Sequence, residues 1–371
     1  MVSPIHRLAL LLVLATACAT VPPPSEAPSW PPASEVQLSI LTVGDTGRRQ
    51  HLGPYFHLQR SVARGLVAED RRHPSDALVL LGDNFYSSGL ESDELVKRIR
   101  QNVAGPYCYF VAPGGPRSQE IGRACRLDVE QRHPLPIYAV LGNHDHKAPE
   151  SPKLQREAVP RFVPNWHVPD GRAATVEFEE GVSLILFDST LLLKDEDDAE
   201  LVEALRKSRG PWRILASHHP LATARDYPAD RAEGHTGYRE QVLAAIARAG
   251  VTVQLAVSGH EHNLQVIDMD GPMVQLVAGS GSKVRELKTS NPAVRFARDV
   301  AGFARIDLVG GGSKQQLVAS LFSTRHVPPL PAPRPRLVAQ FAISREGLSR
   351  DILASPSGSP VPIGGQVHGQ P

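Results

Sequence analysis

Five short polar stretches, in fixed order and each closing an apolar run, constrain this chain more than any other feature. They read Gly44-Asp45-Thr46-Gly47, Gly82-Asp83-Asn84-Phe85-Tyr86, Gly142-Asn143-His144-Asp145-His146, Ser217-His218-His219-Pro220 and Gly259-His260-Glu261-His262-Asn263. The runs before them, at 38–43, 78–81, 137–141, 214–216 and 253–257, are rich in Val, Leu and Ile and read as buried strands. Helical spacing falls between them, at 54–69, 93–101, 197–207 and 238–249. Strand-like pairs with no helix between them, 175–178 with 183–187 and 264–267 with 273–278, predict an α/β fold with mixed rather than purely parallel sheets. In such sheets ligands gather at the carboxyl ends of strands, so the five stretches are expected to meet there.

With 371 residues the chain can bury one large core or two modest ones. Its net charge of +1 supplies no global field toward nucleic acid or an anionic membrane surface, and no nucleic-acid-binding patch is expected. Near the start, His6 and Arg7 precede seven apolar residues, 8–14, and the small residues Ala15-Thr16-Ala17. That run is far short of the roughly 20 residues of a membrane span and reads as an export signal. Leu14-Ala15-Thr16-Ala17-Cys18 also resembles a bacterial lipoprotein signal, with Cys18 the lipidated residue, although Ala15 stands where a leucine is usual. Plain cleavage after Ala17 or Ala19 is the alternative. The expected place is the periplasm or outer membrane, or the medium if the chain is secreted, and any membrane contact is through that lipid.

Setting Cys18 aside leaves Cys108 and Cys125, a disulfide candidate in an exported chain, against the alternative of two unpaired thiols. The expected organisation is a signal over 1–18, a proline-rich tether over 19–35, the main domain over 36–325 and a proline-rich, partly disordered extension over 326–371. A terminal hairpin is expected from 303–309 and 316–322 about Gly310-Gly311-Gly312, and one more strand at 337–343.

Carboxylates, a carboxamide, imidazoles and a phenol converging at strand ends describe a two-metal hydrolytic centre. Asp83 is the natural bridge. Asp45, Tyr86 and His262 can complete one metal, and Asn143, His218 and His260 the other. A phenol ligand favours Fe(III), because a trivalent ion can displace its proton. Two aspartates, a tyrosinate and a hydroxide against a trivalent and a divalent ion leave a site of net positive charge, suited to a phosphate anion. The acidic run Asp195-Glu196-Asp197-Asp198 sits before an expected helix, where negative charge suits the helix dipole, and is read as structural.

These motifs resemble the calcineurin-like metallophosphoesterases, and more narrowly the purple acid phosphatases of the small, tartrate-resistant type. Asp45-Thr46-Gly47 lacks the histidine that many other members carry in the first motif, and Tyr86 after Gly82-Asp83-Asn84-Phe85 marks the purple acid branch. The resemblance runs from about 36 to about 325. It implies a four-layer α-β-β-α sandwich and a centre of Fe(III) plus Fe(II), Zn(II) or Mn(II). It further implies an in-line attack on phosphorus by a metal-bound hydroxide, in phosphomonoesters that are small molecules or phosphoproteins. His144 would then protonate the leaving alkoxide and Asp145 would orient it, with His146, His219 and Asn84 as supporting or substrate-contacting groups. His219 is the rival of His218 for the ligand position. A phosphodiesterase or nucleotide pyrophosphatase on the same scaffold stands as the alternative, and a non-catalytic metal- or phosphate-binding surface protein as a second.

Overall fold

The computed structural model describes residues 31–48, 56–224, 237–269, 271–287, 291–324 and 335–353. The export signal, Cys18 and most of the tether lie outside them.

Alternation along the apolar runs builds three layers of core. The first strands are β1 (Val36–Val43), β2 (Ala77–Leu81), β3 (Ile137–Val140) and β4 (Trp166–His167), all parallel. Between β1 and β2 lies helix α1 (Phe56–Arg72). Between β2 and β3 lie α2 (Leu95–Ile99), which continues as a wider turn to Ala104, and the short α3 (Ser118–Ile121). A further short helix, α4 (Ser151–Lys153), precedes β4. On β1 and β2, Leu38, Ile40, Val79 and Leu81 face the middle of the molecule. The intervening Leu41, Val43, Leu78 and Leu80 face outward and pack with Val62 and Leu66 of α1. Successive strand residues point to opposite faces, so one run feeds two cores.

The second half repeats the scheme. Strands β5 (Ala173–Phe178), β6 (Val182–Phe187), β7 (Trp212–Ser217) and β8 (Leu255–Ser258) are followed by β9 (Leu264–Asp268), β10 (Val274–Ala278) and β11 (Val294–Arg298). Helices α5 (Ser189–Asp195) and α6 (Ala199–Lys207) link β6 to β7, and α7 (Tyr238–Ala249) leads into β8. Leu184, Leu186, Ile214 and Leu276 join the middle core, while Ile185, Phe187 and Leu215 pack outward on Leu201, Leu205, Val242 and Ile246 of α6 and α7. The order in this sheet is β11-β9-β10-β8-β7-β6-β5, with β6, β7, β8 and β10 parallel and the flanking strands antiparallel. Helix, sheet, sheet and helix are thus stacked in four layers with mixed sheets, as the resemblance implies.

The chain then returns to the first sheet. The hairpin β12 (Gly302–Val309) and β13 (Gln316–Ser323) pairs antiparallel to β1 through β12. The sheet continues past the expected boundary at 325, because β14 (Arg336–Ser344) and β15 (Gly347–Leu353) add two more strands at its edge, giving β15-β14-β13-β12-β1-β2-β3-β4. Val338, Phe341 and Ile343 are buried in the middle core, which is why this part of the extension is ordered. The acidic run is taken up in ion pairs: Arg172 grips both oxygens of Asp195, and Arg248 pairs with Asp198.

Candidate metal centre

The carboxyl ends of β1, β2, β3, β7 and β8 lie along one edge of the sandwich, and all five polar stretches emerge there. The approach is close enough to require glycine. A Cβ on Gly142 would lie 2.3 Å from Asp83 Oδ1, and one on Gly259 would lie 2.7 Å from Asp45 Oδ2. Backbone strain concentrates at the same edge. Among the described residues, the non-glycine positions with positive φ are Asp45 (59°), Asp83 (52°), His260 (67°), His262 (29°) and Glu196 (57°). Glu196 closes α5 in a left-handed cap, but the other four have no such excuse. Such conformations persist where the surroundings impose them, and they cluster at functional sites.

Two donor clusters result. In the first, Tyr86 Oη donates to Asp45 Oδ1 at 2.6 Å and lies 3.0 Å from His262 Nε2, which is itself 3.0 Å from Asp45 Oδ1. The ligand atoms of Asp45, Asp83 and His262 all lie within 4.8 Å of one another. In the second, His218 Nε2 is 3.1 Å from Asn143 Oδ1, 3.3 Å from His260 Nδ1 and 3.5 Å from Asp83 Oδ1. Asp83 therefore stands between the two. The left-handed turns at His260 and His262 send the two imidazoles to different clusters. His219 also joins the second group, its ligand nitrogen within 4.8 Å of those of His218 and His260, while Ser189 Oγ holds its Nδ1 at 2.9 Å.

Donors about 2.1 Å from a common cation sit roughly 3 Å from one another, so both clusters have the size of a coordination shell. The chemistry fits as well. Asp45 and Asp83 are buried, at 0% and 1% exposure, and two carboxylates so placed call for cationic compensation. Oxygen donors with a phenol suit a hard trivalent ion, and imidazoles with a carboxamide a divalent one.

Electrostatics point the same way. Burial pushes the Asp45 carboxyl up, but His262, His218 and the Tyr86 hydroxyl outweigh it and hold it at about 2. Burial together with the Asp45 and Asp83 carboxylates pushes the Tyr86 hydroxyl well above the ordinary phenol range. Without a cation, then, Tyr86 remains a hydrogen-bond donor. Burial lowers His218, yet the Asp83 and Asp45 charges and the Leu81 carbonyl, 2.9 Å from Nδ1, leave it raised overall.

His144 lies at the mouth, its side chain 25% exposed, with Nε2 4.0 Å from Asp83 Oδ2. Its Nδ1 is 2.5 Å from the Ser87 carbonyl and 3.0 Å from Lys147 Nζ. The Ser87 carbonyl suits a protonated Nδ1 and the Lys147 ammonium an unprotonated one; in either tautomer Nδ1 is engaged by the protein and Nε2 is the nitrogen toward Asp83. The Tyr86 ring meets it edge-on at 4.5 Å.

Asp145 does not orient His144. Its carboxylate is consumed by the main-chain N–H groups of Asn84, Phe85 and Gly142 at 3.0, 3.0 and 2.9 Å and by Gln155 Nε2 at 3.0 Å. Burial, with the Asp83 charge, raises its pKa to about 6 against those bonds. Asn84 likewise faces away from any substrate, giving its Nδ2 protons to the Val140 carbonyl and Gln155. His146 Nε2 meets Asp188 Oδ2 at 2.7 Å. Sequence reasoning passed over Asp188, Ser189 and Gln155. Asp188-Ser189 follows the apolar run of β6, and that strand-end position was the available signal.

Comparison with known proteins agrees with this edge of the fold. The chain matches the family described as calcineurin-like phosphoesterase over residues 38–264, a segment that contains all five motifs. Purple acid phosphatase 17 of Arabidopsis thaliana is 25% identical over 311 residues, covering 74% of this chain and 78% of that protein. Tartrate-resistant acid phosphatase type 5 of Homo sapiens is 23% identical over 339 residues, covering 80% and 93%. Among solved structures, GAP50, the anchor in the inner membrane complex of Plasmodium, shares the fold with a TM-score of 0.58 at 17% identity, covering 82% of this chain and 90% of that one. The purple acid phosphatase PPD1 of yellow lupin shares it with a TM-score of 0.53 at 14% identity, covering 84% and 55%. The chain is a phosphoric ester hydrolase of the calcineurin-like phosphoesterase family, similar along most of its length to purple acid phosphatases.

Proposed function

We propose that this chain is an exported phosphomonoesterase of purple acid type, with Fe(III) held by Asp45, Tyr86 and His262 and a divalent Fe, Zn or Mn held by Asn143, His218 and His260. Asp83 bridges them. The observation that carries this reading is the pair of adjoining donor clusters sharing Asp83, one with the Tyr86 phenol 2.6 Å from Asp45 and the other built on imidazoles and a carboxamide. When bound, the two ions supply Lewis-acid charge for the phosphoryl oxygens and water activated near neutral pH.

The chain's own residues do the rest. His144 presents Nε2 toward the centre from its exposed rim, its Nδ1 held beside the Ser87 carbonyl. Protonated at both nitrogens, it delivers the Nε2 proton to the departing alkoxide. His146 and His219, each tied to the start of α5 through Asp188 or Ser189, are the further groups for the substrate or the ligand shell. Export is supported by the sequence before Cys18 and by the Cys108–Cys125 disulfide, whose Cα atoms are 5.0 Å apart.

The test is a visible spectrum and a metal analysis of the purified chain from about residue 34, followed by phosphate release from monoesters and diesters. A purple band with two metals per chain and preference for monoesters is expected. Two metals without the band remove the Tyr86–Fe(III) assignment, and faster diester cleavage moves the chain to the phosphodiesterase reading. No metal after reconstitution turns it into a binding protein.

A further inference from the structure

Although the chain as a whole is nearly neutral, six arginines are gathered around one cavity outside the metal centre. Arg60, Arg64 and Arg71 of α1, Arg100 at the end of α2, and Arg123 and Arg126 from the segment after α3 line a cleft of about 670 Å³. No carboxylate lines it among the described residues. Glu69 and Asp70, on the same helix, are turned away: Glu69 meets Arg305, and Asp70 accepts from Tyr109 Oη and contacts His133 Nδ1. Glu120 is gripped by Arg117, and Arg100 reaches its carbonyl rather than its carboxylate. Among the described residues Arg64, Arg123 and Arg126 have no ion-pair partner. The like charges act on one another, since burial and then Arg64 and Arg126 lower the pKa of Arg60. All six side chains are exposed, and with no carboxylate among the lining residues the cleft presents net positive charge that favours an anion.

Its shape limits the anion. At 3.6 residues per turn and 1.5 Å per residue, Arg60, Arg64 and Arg71 fall on one face of α1 and form a stripe about 16 Å long. The facing wall is held by the Cys108–Cys125 disulfide, which ties the segment of Arg123 and Arg126 to the floor residue Cys108. A concave, elongated groove with charge on both walls fits a flexible chain and not a flat membrane surface. Guanidinium forks match phosphate oxygens two at a time. Bases would find no platform: the lining aromatic, Tyr109, is 7% exposed and has the Arg71 guanidinium 5.2 Å above its ring.

We propose that this groove is a second anion site, separate from the metal centre, that binds a linear phosphate chain of the inorganic polyphosphate type. The stripe begins next to the catalytic edge, because Gln59, beside Arg60, donates to the Thr46 carbonyl at 2.7 Å. A chain bound along it is held close to the centre without occupying it.

The experiment measures binding of a short inorganic polyphosphate to the metal-loaded protein in the presence of saturating orthophosphate, which fills the centre. The Arg64→Glu/Arg123→Glu double variant should lose about tenfold or more in affinity, with a shallower salt dependence. Arg126→Gln should lose less, and all variants should hydrolyse a small monoester as the parent does. Three results overturn the proposal. Unchanged affinity in the variants places the ligand elsewhere. Equal affinity for a single-stranded oligonucleotide of matched charge makes the groove a nucleic-acid surface. Loss of binding to competing orthophosphate that is the same in the parent and in the charge-reversed double variant assigns polyphosphate to the metal centre. The proposal stands independently of the phosphomonoesterase reading, because its readout is binding with the centre blocked.

Discussion

Asp145 Oδ2 accepts the main-chain N–H of Asn84 at 3.0 Å, joining the β3 turn to the β2 turn across 61 residues of chain. Its other oxygen takes the N–H of Phe85, so this one carboxylate fixes the turn that aims both Asp83 and Tyr86. The resemblance assigns Asp145 to the proton donor, yet the geometry makes it a buckle under the metal site. Asp145→Ala leaves three main-chain N–H groups without their acceptor, each worth about 1–3 kcal/mol when buried. The expected outcome is a variant that melts lower, binds both metals weakly and loses turnover as a consequence. Metal titration and thermal denaturation check this. An orienting role alone would spare metal content and alter only the acid limb of the rate profile.

His144→Ala is expected to behave in the opposite way. No donor cluster depends on its ring, so metal content and stability should stay close to those of the parent. Turnover should fall by about 10²–10⁴-fold, the usual worth of a positioned general acid. The loss should be largest for substrates whose leaving alkoxide is most basic and smallest for phenolic ones. Kinetics across a leaving-group series, beside metal analysis, reads both.

Much of this was legible in the chain because burial repeats at short range. The middle and outer cores follow from alternation within runs such as 36–43 and 77–81, and the Gly-Asp and Gly-Asn-His-Asp turns announce strand ends where glycine is required by contact. What was not legible is long-range. Nothing local to Asp145 says that its acceptors are spent on Asn84 and Phe85, and nothing near Arg64 says that Arg123 faces it. Strand β14 was expected at 337–343, but β15, whose stretch 347–353 carries Ser, Arg and Asp among its apolar residues, was not. His146 found its partner only when α5 folded back to bring Asp188 within 2.7 Å.

Tyr86 carries a prediction that does not depend on turnover. Burial and the Asp45 and Asp83 carboxylates keep its hydroxyl protonated throughout the accessible pH range when no cation is bound. Coordination to Fe(III) must then expel that proton. Loading the apoprotein with Fe(III) should release about one more proton from the parent than from Tyr86→Phe, and the variant should lack the visible band. Equal release with the band retained would transfer the chromophore to another ligand.

The last prediction concerns stability away from the centre. Arg305, buried under the first sheet, donates Nε to Asp307 at 2.7 Å and meets Glu69 at 3.4 Å. Burial raises the pKa of both acids, and Arg305 only partly reverses it. A raised folded pKa means that the native state holds the proton more tightly than the unfolded chain. The contribution of these two acids to stability is therefore greatest below the unfolded carboxylate values of about 4 and declines as pH rises through the folded ones. Arg305→Met removes the compensating cation and pushes both acids higher still. The variant should lose about 3–5 kcal/mol at pH 7, where Asp307 loses its ion partner and Glu69 keeps only the 4.0 Å contact to Arg72. At pH 4 a larger share of both acids is protonated than at pH 7, and the loss should shrink toward the packing difference. Denaturant melts of parent and variant at the two pH values measure it, and an equal loss at both would mean that Arg305 serves as packing and not as counter-charge.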